Sequence, residues 1–224
     1  MRSFRPPGAA PLPVSVAALL VCVAVALGAT SVASPLSSER PPVALIGDSI
    51  TWGASDTFQR VLGDRWRLMV DGRIGYRIAQ QLPAAERAGR LPNRQVVINL
   101  GTNDVTNTDA PITSLIEDLR ELIDRVRDAE CIHLVTVNER IAGRGPAVQD
   151  RAAALNAAMR ELAAGAPRID VIDWSGALAA WEAEHPGRTL TSDTIHPNAE
   201  GNTLLAGLYR DALERCGSRA AARP

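Results

Sequence analysis

The chain has 224 residues, a formal net charge of −1 and 46% hydrophobic residues. That is enough apolar material for one substantial α/β core, and too neutral a balance to favour a nucleic-acid or anionic-membrane partner. Every basic residue is arginine, and the lack of lysine excludes a Walker-type phosphate loop, a pyridoxal Schiff base and a Ser-Lys dyad.

At the N-terminus, Arg2 and Arg5 precede an uncharged apolar run from Val14 to Leu27, and small residues follow to Ser34. This order predicts a secretory signal over residues 1–33, with Ser31-Val32-Ala33 as the small-x-small cleavage site. An uncleaved anchor is the competing reading, although the apolar stretch is short beside the roughly 20 residues of a membrane span. Leu19-Leu20-Val21 lacks the small residue expected ahead of a lipidated Cys22. The protein is therefore expected outside the cytoplasm, secreted or in the cell envelope, meeting a membrane only through this segment. Residues 34–42, rich in Ser and Pro, read as a linker. Residues 43–217 read as one domain, and residues 218–224 as a disordered tail.

Strand-like and helix-like segments then alternate. Strands are predicted at Val43–Ile46, Arg67–Val70, Val96–Leu100, Ile132–Val137 and Ile169–Ile172. Helical patterns fall at Phe58–Leu62, Ile78–Arg87, Ile112–Asp128 and Val148–Ala164, with a last one from Ala199 to about Arg215. In the third, Ile112, Leu115, Ile116, Leu119, Leu122, Ile123 and Val126 form one apolar face. The alternation predicts a flavodoxin-like three-layer α/β/α sandwich with a five-stranded parallel sheet, which binds ligands at the carboxyl ends of its strands.

The residues leaving each strand are therefore the ones to inspect. Gly47-Asp48-Ser49 follows the first strand and puts a hydroxyl at the carboxyl edge, where a neighbouring base would make it a nucleophile; an ordinary turn is the alternative. Of the three histidines, His133 lies within the fourth strand and His185 in a polar loop. His196 stands just before the last helix, three residues after Asp193, which is close enough to orient its ring. After the second strand comes Asp71-Gly72-Arg73-Ile74-Gly75-Tyr76, and after the third Gly101-Thr102-Asn103-Asp104. The Gly75 N–H and the Asn103 amide are candidate donors to an oxyanion beside the Ser49 N–H. Taken singly, Gly75 also reads as a left-handed turn residue and Asn103 as an Asx-turn.

Together, Gly47-Asp48-Ser49, the Gly72 to Gly75 turn, Gly101-Thr102-Asn103-Asp104 and Asp193-x-x-His196-Pro197 resemble the four motif blocks of the SGNH (GDSL-type) hydrolases. They occur in that family's order, with Ile50 where the alternative family name has Leu. The resemblance implies Ser49, Gly75, Asn103 and His196 as the four name-giving residues and Asp193 as the third triad member. Gly75 is preferred to Gly72 because it aligns with the second glycine of its turn. An ester would be cleaved through an acyl-serine, with no metal or other cofactor.

Candidate substrate-binding residues are Trp52, Tyr76, Asn138 and Trp174, core packing being the alternative for the tryptophans. No long apolar insertion offers a lid, so short acyl groups on carbohydrate, acetyl above all, are the expected substrate. An O-acyltransferase, a lipid or thioester acylhydrolase and a non-catalytic glycan-binding module are the alternatives. Cys131 and Cys216, the cysteines remaining after signal removal, are expected to pair in an oxidising compartment. In a parallel layer the last helix runs back against the strands, bringing its end near their amino edge.

Overall fold

A computed structural model describes residues 40–92, 95–107, 109–142 and 144–221. The expected signal and most of the linker lie outside the described residues. Five strands, β1 (Pro42–Gly47), β2 (Arg67–Gly72), β3 (Gln95–Asn99), β4 (Cys131–Val135) and β5 (Ile169–Ile172), form one sheet in the order β2-β1-β3-β4-β5. All neighbours are parallel. The helices are α1 (Ser49–Gly53), α2 (Ser55–Leu62), α3 (Leu82–Gly89), α4 (Thr102–Asn107), α5 (Ile112–Arg125), α6 (Pro146–Gly165), α7 (Trp174–Glu184) and α8 (Ala199–Ala221), with a 3₁₀ turn at Ala79–Gln81 leading into α3. Among the described residues no helix is long and apolar enough to cross a membrane.

β3 and β4 are buried at every position and β1 at all but its first, because helices cover both faces of a parallel sheet. Alternate residues of one strand enter opposite layers. Ala44, Ile46, Val96, Ile98, Ile132 and Leu134 pack with Leu115, Leu119 and Leu122 of α5 and with Leu155 and Met159 of α6. Val43, Leu45, Val97 and Val135 pack on the other side with Phe58 and Leu62 of α2 and Leu205, Tyr209 and Leu213 of α8. The result is the three-layer sandwich expected from the alternation.

Three helices were not legible as such. α1 and α4 are short turns of helix immediately after β1 and β3. α7 has apolar residues around its circumference, and so no stripe for a periodicity reading to detect. Its cue is Asp173, whose carboxylate caps the start by accepting the Gly176 N–H at 3.2 Å. At the other end of the chain, α8 continues to Ala221, so residues 218–221 of the expected tail are helical, and residues 222–224 lie outside the described residues.

Cys131, which opens β4, is bridged to Cys216 near the end of α8, with Cα atoms 6.2 Å apart. Both are buried, at the amino edge of the sheet and away from the strand ends that carry the polar turns. The bridge spans a sequence separation of 85 residues, and chain-entropy reasoning gives it up to about 4–5 kcal/mol of stabilisation. Thiol titration of the denatured, unreduced protein should therefore detect neither Cys131 nor Cys216, and reductant should lower the urea midpoint. Two free thiols, or an unchanged midpoint, would contradict the bridge.

Candidate active site

β1 ends at Gly47 and α1 begins at Ser49, so one residue turns the chain from strand to helix. That residue, Asp48, caps α1: its Oδ1 accepts the Ile50 N–H at 2.9 Å. Ser49 is thus held at the carboxyl edge of a central strand, and its own N–H, at the first helical position, has no intrahelical acceptor. The Ser49 hydroxyl lies 2.9 Å from Nε2 of His196. Nδ1 of His196 is 2.8 Å from Oδ2 of Asp193. With a proton on Nδ1 donated to the carboxylate, Nε2 is left with its lone pair toward the serine hydroxyl, the arrangement in which a serine can lose its proton as it attacks.

Asp193 also shapes the loop that carries the histidine. Its Oδ1 accepts the Ile195 N–H at 3.1 Å and the His196 N–H at 2.7 Å. Between Asp193 and Ile195, Thr194 has φ +69°, the one positive φ outside glycine among the described residues. A β-branched residue in the left-handed region costs about 1–3 kcal/mol and persists only when its surroundings enforce it. The base of the loop is closed by the Ser192 N–H to the His196 carbonyl and the Asn198 N–H to the Leu190 carbonyl, both 2.8 Å.

The two glycines after β2 do different things. A side chain on Gly72 would lie 2.4 Å from the Trp52 backbone nitrogen, so Gly72 is what lets α1 pack on β2. Gly75 has φ +76° and open space where a Cβ would stand, in a turn closed by the Tyr76 N–H to the Arg73 carbonyl. Asn103, on α4, ties this turn to the residue before Ser49: its Nδ2 donates to the Tyr76 carbonyl at 3.0 Å and approaches Asp48 Oδ2 at 3.4 Å. One N–H of that amide is spent on Tyr76, and the other has only the long contact to Asp48, so it is available to a ligand.

A cavity of about 320 Å³ opens beside these groups, lined by Ser49, Ile50, Trp52, Gly53, Ile74, His196, Pro197 and Asn202. Trp52 and Ile74 are 57% and 64% exposed and stand at its mouth. A larger depression beside Asp211, Glu214, Arg215 and Ser218 carries no nucleophile with a base; its one hydroxyl, on Ser218, donates to the Glu214 carbonyl.

Of the expected substrate-binding residues, Trp52 lines the cavity and Tyr76 is exposed nearby, its carbonyl held by Asn103. Two require correction. Trp174, at the start of α7, is only 2% exposed and packs in the core with Leu178 and Tyr209, because the helix turns it under the sheet edge. Asn138 is buried, and its Nδ2 donates to the Thr194 carbonyl at 2.8 Å, so it faces the histidine loop. Ile74, Pro197 and Asn202 were not foreseen; an isoleucine in a glycine turn was the available cue for the first. His133 is wholly buried against Gln95, and Asp170 is beside it. Among the described residues the group with metal-ligand spacing is Cys131, His133 and Cys216, and its two sulfurs are bonded to each other.

Two buried acids lie under the site. Burial pushes the Asp48 carboxyl up to about 7 against the hydrogen bond from Ile50, with the nearby His196 lowering it and Asp104 raising it. Burial likewise raises Asp104 to about 6, although it accepts the Ile78 N–H. Asp170 behaves oppositely: its hydrogen bond with His133, assisted by Arg215, lowers it to about 2.

Residues 45–204 match the GDSL-like lipase/acylhydrolase family. No curated protein matches the chain in sequence. Among solved structures, a member of the lipolytic G-D-S-L family from Veillonella parvula superposes with TM-score 0.67 at 19% identity, covering 78% of this chain and 98% of its own. The C-terminal catalytic domain of Streptococcus pneumoniae peptidoglycan O-acetyltransferase A gives 0.61 at 21% identity, covering 80% and 96%. An acetyl xylan esterase, AlAXEase, gives 0.63 at 20% identity, covering 76% and 98%. At such identities the likeness is one of fold.

The buried acids make a prediction. With Asp48 and Asp104 held above the usual 3.8, the folded chain binds more protons than the unfolded one between about pH 4 and 7, so their effect is to lower stability as pH rises through that window. The contribution of Asp170 has the opposite sign, complete above about pH 4 and lost as pH falls toward 2. Urea midpoints measured across about pH 4 to 8 should decline less steeply in Asp48→Asn than in the wild type. Parallel profiles would mean that Asp48 stays ionised when folded.

Proposed function

Because the chain belongs to the GDSL-like lipase/acylhydrolase family, and so is a carboxylic ester hydrolase, we propose that it is an exported serine esterase removing short acyl groups, chiefly acetyl, from carbohydrate. The observation that carries this reading is the relay from Ser49 through His196 to Asp193, with contacts of 2.9 and 2.8 Å, opening on a small cavity.

In the proposed cycle, Ser49 Oγ attacks the ester carbonyl while His196 Nε2 takes its proton, and Asp193 stabilises the imidazolium that forms. The oxyanion is met by the Ser49 and Gly75 N–H groups and by the Asn103 N–H that otherwise makes only the long 3.4 Å contact to Asp48. His196 returns the proton to the leaving alcohol. Water, deprotonated by the same nitrogen, then releases the acid from acyl-Ser49. Side-chain exposure of 45% at His196 lets bulk water reach the acyl-enzyme.

A cavity of about 320 Å³ walled by Trp52 and Ile74 suits a short acyl group, and it lies at the small end of ligand pockets. The flat, exposed indole of Trp52 offers a sugar an apolar face and an N–H donor. The fold is shared with an acetyl xylan esterase and a peptidoglycan O-acetyltransferase domain, so this architecture accommodates acetyl chemistry on glycans. Export is supported by the charged and then apolar N-terminus and by a disulfide that persists in oxidising compartments.

Ser49→Ala and His196→Ala should each lower kcat on aryl acetate by at least about a thousandfold while the protein stays folded. Asp193→Asn keeps an acceptor oxygen for the loop but offers Nδ1 a poorer partner, and should be damaging while leaving more activity than either of those changes. A Ser49→Ala enzyme with more than about a thousandth of wild-type turnover would contradict the acyl-enzyme. Aryl acetate should be cleaved at least about tenfold faster than aryl octanoate, by kcat/KM; the reverse order would overturn the short-acyl reading.

A further inference from the structure

We infer that Asn138 is a positioning residue: it holds Thr194 in its left-handed conformation and thereby keeps Asp193 and His196 in register with Ser49. The inference rests on the reading of His196 as the base. It begins from Thr194, a β-branched residue at φ +69°, where glycine or asparagine is the residue that fits without strain. A conformation that the residue itself resists has to be imposed by its neighbours.

Two groups impose it, both from the segment that follows β4. Asn138 Nδ2 donates to the Thr194 carbonyl at 2.8 Å, and the Ala142 N–H donates to the Thr194 hydroxyl at 3.0 Å. Asn138 is itself fixed, being 6% exposed and accepting the Arg140 N–H on Oδ1 at 2.9 Å. The segment is pinned from beneath by Asn156 of α6, which is fully buried. Its Oδ1 accepts the Val137 N–H, and its Nδ2 donates to the Val137 carbonyl and to Glu139 Oε1, each at 2.8 Å. The chain of contacts therefore runs from α6 through the end of β4 to the peptide between Asp193 and His196. The chain reversal at Thr194 allows Asp193 to reach the Ile195 and His196 N–H groups with one oxygen and Nδ1 with the other. If Thr194 relaxes, the imidazole loses its fixed approach to Ser49, and misplacement on the order of 1 Å costs a catalytic group about a hundredfold.

The test is a rescue. Asn138→Ala, and Asn138→Asp, which keeps the size and the Arg140 acceptor but cannot donate to a carbonyl, should lower kcat on aryl acetate by about ten- to a hundredfold. KM should stay within about twofold, since no substrate contact is removed. Placing glycine or asparagine at the strained position removes the need for enforcement. Asn138→Asp combined with Thr194→Gly should therefore recover kcat to within about fivefold of Thr194→Gly alone, and Asn138→Ala with Thr194→Asn should recover in the same way. A merely structural contribution of Asn138 would show as lost thermal stability without such rescue. If Asn138→Ala does not fold, the Asp and Thr194 variants make the same comparison. Full activity in the Asn138 variants, a rise in KM at unchanged kcat, or no recovery in the double variants overturns the inference and leaves the acyl-enzyme standing. Retained turnover in Ser49→Ala would remove both.

Discussion

The 2.9 Å hydrogen bond between Ser49 and His196 joins residues 147 apart in the chain, so it forms only if the last helix lands in one place on the sheet. α8 is held at several levels along its length. Leu205, Tyr209 and Leu213 are fully buried, and the Tyr209 ring stacks on Phe58 of α2 at 4.7 Å. Burial of this kind contributes about 1.5–3 kcal/mol per large side chain. Lower down, Gln95 donates to the Leu213 carbonyl and Cys216 is bonded to β4. α2 follows directly from α1, whose first residue is Ser49. The packing of α2 on α8 therefore joins the element that follows Ser49 to the element that follows the histidine loop.

Within that frame the site combines stable support with local strain. Asp48 contributes the cap that lets a strand become a helix in one residue, but its carboxyl lies where water does not reach, and Asp104 adds a second buried acid nearby. Thr194 holds an unfavourable backbone conformation one residue from Asp193. Such features oppose folding and are tolerated where a fixed geometry matters. The opposite edge of the sheet is where the disulfide, the contact of Asp170 with His133 and its ion pair with Arg215 are found, so the strongest covalent constraint is far from the strained end.

The sheet was legible because central parallel strands read as continuous apolar runs bounded by turn residues; the predicted ends of β1 to β4 differ by one or two residues, and β5 agrees. The motif residues were legible for a related reason. Each lies in a turn leaving a strand or entering the last helix, and the parallel topology brings those turns to one edge. Side-chain direction was not legible. Trp174 and Asn138 both stand just past strand ends, yet one is turned into the core and the other toward a backbone carbonyl. The cavity wall was also hidden, since Ile74 comes from the turn after β2 while Pro197 and Asn202 come from around the start of the last helix, whose approach depends on the α2–α8 packing. α7 escaped because a helix without a polar face has no period to find.

If His196 activates Ser49 as proposed, Ser49 becomes covalently acylated during turnover. Intact-mass analysis after incubation with a fluorophosphonate tests it most directly. A single phosphonyl adduct per chain is expected, mapped to the peptide containing Ser49 and absent from the Ser49→Ala protein. A folded, esterase-active protein that takes up no adduct, or that carries it on another residue, would contradict it.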